Sequence, residues 1–431
     1  MRQPNAAFAP GLRGVRILDF TWAGAGPFCT EMLCLMGAEV LKVESSDRPD
    51  LLRISGLAYG WGVTSLESNP GFNDMNAGKL SIEIDLKHPQ GAAVARRLAL
   101  AADVVCDNMR PGKMEALGLG YEALNAVRPD VICCSVSATG RVEGEKPPEV
   151  SGYGPVFWAE GGAASVTGFA GGEPTYMRAP ADMNAATFTA IGVLAALIHR
   201  QRTGQGCYVD CSAIETVGAV IGDELLATAI GAPAGGLRGN DRAPWSPNDV
   251  LPCAGEDWWL AVSVDSEAQW VALCEVLGAR DLLADPDLRS RWHRWSRREE
   301  VRARLAVHSR ESDVHQLARE LQMRRVPAAV SQKLKSLLAD EELNRRAFWQ
   351  TTDHPVLGAQ KIGTLPWSMQ PPLPPARPGP LLGEHTRGAL ARWLDLSEGE
   401  VNQLVESGAV RQQDPPTAPA PDPAAAEEAT T

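Results

Sequence analysis

The side chains able to do chemistry in this 431-residue chain fall into no metal-binding or hydrolase pattern. The seven histidines (88, 199, 293, 308, 315, 354 and 385) share no ligand spacing and read as structural. The nine cysteines (29, 34, 106, 133, 134, 207, 211, 253 and 274) are odd in number and include an adjacent pair. That fits neither a disulfide framework nor a zinc site, so they read as reduced, mostly buried thiols. No GxSxG elbow, Walker A loop or GxGxxG fingerprint occurs. One carboxylate stands apart. Asp182, in RAPADMNAATF, lies between a glycine- and proline-rich stretch (Ser151 to Pro180) and a long apolar helical stretch closed by TGQG, so it reads as the residue that opens that helix. Aspartate is a favoured N-cap there.

The elements around Asp182 alternate. VRILDF (Val15 to Phe20) is a short strand, a Gly/Pro-bearing turn follows, and CTEMLCLMG is helical up to Gly37. The pattern recurs with AEVLKVE, LSIEIDL, the helix GAAVARRLALA, the strand DVVCDN and the apolar strand VICCSVSA. Such alternation predicts an α/β fold with a Rossmann-like parallel sheet in the large domain. After a glycine-rich loop the texture changes: WWLAVSVD reads as a strand, SEAQWVALCEVLG as a helix, followed by two charged helices, as in a smaller α+β domain. The expected organisation is residues 1–225 as the first part of the large domain, 226–245 as linker and 246–330 as the small domain. Residues 331–411 are expected to return and complete the large domain, and 412–431 to form a disordered tail poor in apolar groups.

The formal charge of −12 and the lack of a dense basic run disfavour nucleic-acid binding. RWHRWSRREE (Arg291 to Glu300) reads as a solvated helix face. The N-terminus has no apolar export region, and no run of about 18 uncharged apolar residues is present. A cytoplasmic protein that does not engage a membrane is the expectation.

Several ordered blocks carry a resemblance. DFTWAGAGPFCTEMLCLMGAEVLKVES with Arg53, NAGKLSIEIDLKHPQG, ADVVCDNMRPGKMEALGLGYEALNAVRPDVICCSVSATG, TAIGVLAALIHRQRTGQGCYVDCS and GPLLGEHT resemble, in order, the class III coenzyme A transferases of the CaiB/BaiF type over roughly residues 11 to 410. The resemblance implies a transferase moving CoA from an acyl-CoA donor to a carboxylic acid, with acyl-CoA as substrate and neither a permanently bound cofactor nor a metal. It makes Asp182 the nucleophile, passing through an aspartyl anhydride and an aspartyl-CoA thioester. It lines the CoA site with Ala25, Gly26, Pro27, Arg53, Lys79, Asn108, Met109 and Arg110, and offers Gly161, Gly162, Gly235 and Gly236 as oxyanion or loop candidates. It also implies an interlocked homodimer.

Some positions depart from the family pattern. Gly24 stands where the oxalate-handling formyl-CoA transferase type has glutamine, and Ser45 where that type has arginine, so oxalate is not carried over. Leu80 and Gly154 replace an arginine and an aspartate common in the family. Ser151 to Phe157 lacks the histidine of the racemase branch, which leaves acyl-CoA racemisation or isomerisation as the alternative activity. A non-catalytic CoA-binding paralogue is the other alternative. DFTW with Trp22 is similar to members acting on aromatic or dicarboxylic acids such as benzylsuccinate.

Overall fold

The structure, a computed structural model, describes residues 11–59, 63–141, 152–177, 179–232 and 235–413, with the side chains of 56–59 left aside. Most of the tail expected to be disordered (414–431) lies outside the described residues. The chain forms two compact units, one of residues 1–163, 177–225 and 342–431 and the other of 164–176 and 226–341.

In the first unit, β1 (Arg16–Asp19) leads to α1 (Ala25–Leu35) and β2 (Glu39–Glu44), and β3 (Leu80–Ile84) leads to α2 (Pro89–Ala101) and β4 (Val104–Asp107). Then come β5 (Ile132–Ser137), α3 (Gly154–Glu160), α4 (Pro180–Thr203), β6 (Tyr208–Ser212) and α5 (Ala213–Val220). The AGP segment expected as a turn is thus the first turn of α1. Prolines at the starts of α2 and α4 suit the first helical turn, where no N–H partner is needed.

In the second unit, β7 (Asn248–Pro252), β8 (Trp259–Ser263) and β9 (Ala328–Val330) form a three-stranded antiparallel sheet. Its core gathers Leu251, Leu260, Trp270, Leu273, Leu305 and Leu321. The stretch expected as a solvated helix face is partly internal: Arg294 is fully buried, stacked over Trp270 with its guanidinium bonded to Glu267 and to the Ser246 and Leu288 carbonyls. Turning a basic side chain inward becomes tolerable because hydrogen bonds replace most of its lost water.

The chain then returns to the first unit through the hairpin β10 (Trp349–His354) and β11 (Gly358–Gly363), two helices at Thr386–Leu394 and Glu398–Glu406, and β12 (Val410–Arg411). Ser397 caps the last helix with a full capping box, as Ser at that place predicts.

The main sheet runs β12-β3-β2-β1-β4-β5-β6, parallel except where β12 pairs antiparallel to β3. Period-two alternation sorts the strands onto two cores. Ile17, Val40, Val104 and Ile132 face Leu33 of α1 and Ala186, Ala190 and Val193 of α4. Leu18, Leu41, Val105 and Cys133 face Leu98 of α2 and Leu390 and Trp393 of the C-terminal part. Each large buried apolar side chain contributes about 1.5–3 kcal/mol. Strand order reverses between β1 and β4, and the crevice at the carboxyl ends of strands at such a point is where open α/β sheets take ligands.

Candidate active site

The switch point is filled from the sequence that follows β1. Asp19, at the end of the strand, is fully buried. It accepts hydrogen bonds from the Thr21 N–H at 2.8 Å, the Thr30 hydroxyl at 2.7 Å and the Lys79 ammonium at 3.0 Å. Burial opposes its ionisation, but Lys79, Lys42 and the two hydroxyls outweigh burial and hold its carboxyl below the usual value. Lys79 is 2% exposed, and its ammonium also donates to the Pro27 carbonyl and to Asn76, each at 2.9 Å. An ammonium has three donors, so this geometry leaves Lys79 none for a phosphate.

Arg53 is equally internal. It forks onto Glu44 at 2.9 Å through Nε and Nη2, pairs with Glu67 at 2.8 Å, donates to the Pro380 carbonyl and lies over the Phe72 ring. Lys42 and Glu44, which alternate with apolar neighbours in β2 as if to face water, are buried in the same ionic network. Burial works against the Lys42 ammonium, yet Asp50, Asp19 and Glu44 more than offset it and raise its pKa.

The turn after β1 is Thr21–Gly24. Asn108, just beyond β4, receives the Trp22 N–H at 3.0 Å and donates to the Trp22 carbonyl at 2.7 Å, so both ends of its carboxamide are engaged. Ala23 takes a left-handed backbone conformation, with φ of 63°. Gly24 then packs on Asp182: a Cβ on Gly24 would lie 3.3 Å from both Cγ and Oδ2 of Asp182. A Cβ on Gly26 would lie only 2.4 Å from the Thr21 Cβ and 3.0 Å from Asn108, so close packing requires glycine there. Ala25, Gly26 and Pro27 are buried, and the N–H groups of Gly24, Ala25 and Gly26 have no acceptor among the described residues.

Asp182 is not the N-cap. The cap position is Ala179, Pro180 begins α4, and Asp182 is the third helical residue with no capping hydrogen bond. The rigid proline, favoured at the first helical position, starts the helix two residues earlier than the aspartate would. Asp182 is half-buried, and burial alone pushes its carboxyl up to about 6. The expected cap is therefore not formed, and Asp182 has no salt-bridge partner among the described residues.

Met109 and Arg110 follow Asn108, and Arg110 is exposed with no carboxylate partner among the described residues. A concavity at the carboxyl ends of β4 and β5, beside the start of β6, is lined by Met109, Arg110, Ser135, Arg141 and Tyr208 over Asp107. Burial raises the Asp107 carboxyl to about 6 despite its bond from the Ser135 hydroxyl. Arg141 pairs with Glu115 at 2.8 Å and stacks over Tyr208. Sequence reasoning missed Arg141, Ser135 and Tyr208. The signal for Arg141 was available, because ATGR directly follows β5 and residues after parallel strands converge on this edge.

The glycine candidates are dispersed. Gly161 and Gly162 close α3, where their N–H groups already donate to the Phe157 and Ala159 carbonyls at 2.9 and 3.1 Å. A Cβ on Gly161 would lie 2.5 Å from Val217, which makes it a packing glycine. Gly235 and Gly236 belong to the second unit; the Gly235 carbonyl accepts from Arg238, and Gly236 is left-handed with φ of 67°. Among the described residues no group of three or more His, Cys, Asp and Glu side chains is placed to hold a metal ion.

Comparisons with known proteins identify the family of the chain. The family model CoA-transferase family III matches residues 12–386. A succinate–glutarate CoA-transferase of Agrobacterium fabrum is 30% identical over 393 residues, spanning 89% of this chain and 95% of that protein. A succinyl-CoA:mesaconate CoA-transferase of Haloarcula hispanica is 32% identical over 386 residues, spanning 87% of this chain and 94% of its own length. A crystal structure of a CaiB/BaiF family protein from Brucella suis matches with a TM-score of 0.80 at 26% identity, covering 89% of this chain and 99% of that one. On this coverage and identity, the chain belongs to CoA-transferase family III and is an enzyme that transfers coenzyme A between carboxylic acids.

Proposed function

We propose that Asp182 carries the transferred groups covalently. Its ionised carboxylate attacks the acyl-CoA carbonyl, forming an aspartyl acyl anhydride as the C–S bond breaks and CoA thiolate leaves. The thiolate attacks Cγ of Asp182 and expels the donor acid as its carboxylate, leaving an aspartyl-CoA thioester. The acceptor carboxylate displaces the thiolate from Cγ to form a second anhydride. Thiolate attack on the acceptor carbonyl then gives the new acyl-CoA and restores Asp182. Each step exchanges one anionic nucleophile for one anionic leaving group, so no net proton moves. Holding CoA in place makes each attack effectively intramolecular.

The observation that carries this reading is the half-buried Asp182 carboxyl, raised to about 6 by burial, with no capping bond and no cation beside it among the described residues. It is mostly ionised at neutral pH, yet more basic than an ordinary aspartate. The unaccepted N–H groups of Gly24 and Ala25 support oxyanion stabilisation in the turn that packs on it. Arg110 and the concavity beneath it are the proposed seat of CoA phosphates, which need cations with free donors.

The acceptors are proposed to be dicarboxylic acids, the class named for the Agrobacterium and Haloarcula relatives. Arg48 supports this: it is exposed, lacks a carboxylate partner among the described residues and stacks 4.7 Å over the ring of Trp22, in the turn that touches Asp182. A homodimer is proposed on the apolar stripe Phe188, Ile191 and Ile198, exposed along α4 at helical spacing. The protein is proposed to act in the cytoplasm; α4 is long and apolar enough to cross a membrane, but 39% of its apolar window is buried within the fold.

The test is mass spectrometry of protein quenched during turnover. Anhydride or thioester label on Asp182, cleaved by hydroxylamine, is expected, and Asp182→Ala should lose both label and exchange while keeping its fold. Label on another side chain, or full exchange by that variant, rejects the reading.

A further inference from the structure

Five residues, Phe20–Gly24, separate β1 from α1, and side chains from the first unit hold the backbone of Thr21, Trp22 and Ala23. The Thr21 N–H goes to Asp19 and the Thr21 carbonyl to the Lys42 ammonium at 2.5 Å. Trp22 is clipped at both its N–H and its carbonyl by Asn108, and the Ala23 N–H goes to Asp50 Oδ1 at 3.0 Å. Lys42 and Asp50 are themselves joined at 2.9 Å, and both are almost wholly buried. Ala23 is left-handed although it carries a Cβ, a conformation that persists only when its surroundings impose it. The next residue, Gly24, is the one against Asp182.

We infer that Asp50 and Asn108 are positioning residues for Asp182: together with Lys42 they force the turn into the left-handed bend that sets Gly24 against the carboxyl. This rests on the reading of Asp182 as nucleophile. It assigns Asn108 to the turn, since both its polar atoms are already engaged there, and it gives the buried Lys42–Asp50 pair a task in catalysis. Asp50 has a competing structural role, because the same Oδ1 also accepts the Leu52 N–H at 2.9 Å at the start of the next helix.

Serine separates the two roles. Its shorter side chain can cap that helix but cannot span to Ala23. Asp50→Ser and Asn108→Ala are therefore expected to lower kcat, and the single-turnover rate of Asp182 labelling, by roughly 10- to 100-fold, with KM for acyl-CoA and acid changed less than about threefold. Asp50→Asn keeps the acceptor and should lose less. Adding Ala23→Gly to Asp50→Ser should recover several-fold in kcat, because glycine takes the left-handed bend without being held.

Unchanged kcat in Asp50→Ser overturns the inference, as does a lower labelling amplitude at unchanged rate, which would mean only less folded enzyme. A loss confined to the KM for acyl-CoA in Asn108→Ala would make Asn108 a CoA contact and equally overturn it. Failure to label Asp182 in the unaltered enzyme would instead overturn the nucleophile assignment, so the two failures are told apart. Should Asp50→Ser not fold, the comparison of Asn108→Ala with Asn108→Asp, which keeps the acceptor but not the donor, decides on the same readouts.

Discussion

Replacing Asp182 by Asn should make the protein more stable, by an amount that grows as the pH rises from about 4 to 6 and is full above that. In the fold, burial lifts the carboxyl from 3.8 to about 6. Two pH units correspond to about 3 kcal/mol, and because the side chain keeps some access to water we discount this to roughly 1.5 kcal/mol. The sign follows from proton linkage. Below pH 4 the carboxyl is protonated in both states and costs nothing; between about 4 and 6 the unfolded chain ionises while the folded one holds its proton, so stability falls; above 6 the full penalty remains. Asparagine removes that penalty. The expected result is a Tm higher than wild type by roughly 2 °C at pH 8, shrinking to about a third of that at pH 4.5. Thermal unfolding followed by circular dichroism at several pH values measures it. Equal Tm at pH 8, or a difference that persists unchanged on acidification, would refute the desolvated-carboxylate picture whatever the enzyme's substrates are. A gain in stability on losing the reactive group is the expected trade between a site's chemistry and its fold.

Other perturbations have equally definite outcomes. In steady-state assays, kcat/KM should be flat from pH 7 to 8 and fall about tenfold per unit below pH 6 as Asp182 takes up a proton; an acid limb near 4 would contradict the raised carboxyl. Gly24→Ala places a Cβ 3.3 Å from the carboxyl and should cost on the order of a hundredfold in kcat by displacing it; wild-type kcat would show that the contact is slack. Lys79→Met leaves Asp19 buried without its cation and should destabilise by about 3–5 kcal/mol in urea unfolding; a weakened CoA affinity in a fully stable protein would restore Lys79 to the CoA site. Arg48→Met should raise KM for dicarboxylic acids about tenfold or more while leaving monocarboxylic acids unchanged; equal effects on both would remove Arg48 from acid recognition.

Period and punctuation made much of the fold readable in advance. The apolar runs of β1, β4 and β5, the helices between them and the Ser397 cap follow from residue type and spacing, because local sterics and burial on two faces leave few alternatives. The position of Asp182 between the glycine-rich stretch and the apolar helix was likewise written in the chain. Which way each charge faces was not. Lys79, Arg53 and Asn108 have the residue types of a phosphate site, yet each spends its polar atoms on partners brought from distant sequence: Asp19 lies 60 residues from Lys79, and the Pro380 carbonyl 327 from Arg53.

Lys42 shows the same limit, since its alternation with valine and leucine implies a wet face that the ionic network beneath the switch point replaces. By itself the sequence determined the parallel sheet, the order of elements and the carboxylate that heads the long helix, all of which depend on neighbours within a turn or a strand. Only the tertiary structure decided that Gly24 backs the carboxyl and that the turn carrying Gly24 is held by Asp50 and Asn108. Those outcomes depend on which long-range partners meet when the strands align, and a buried polar atom's role is set by the partner it finds.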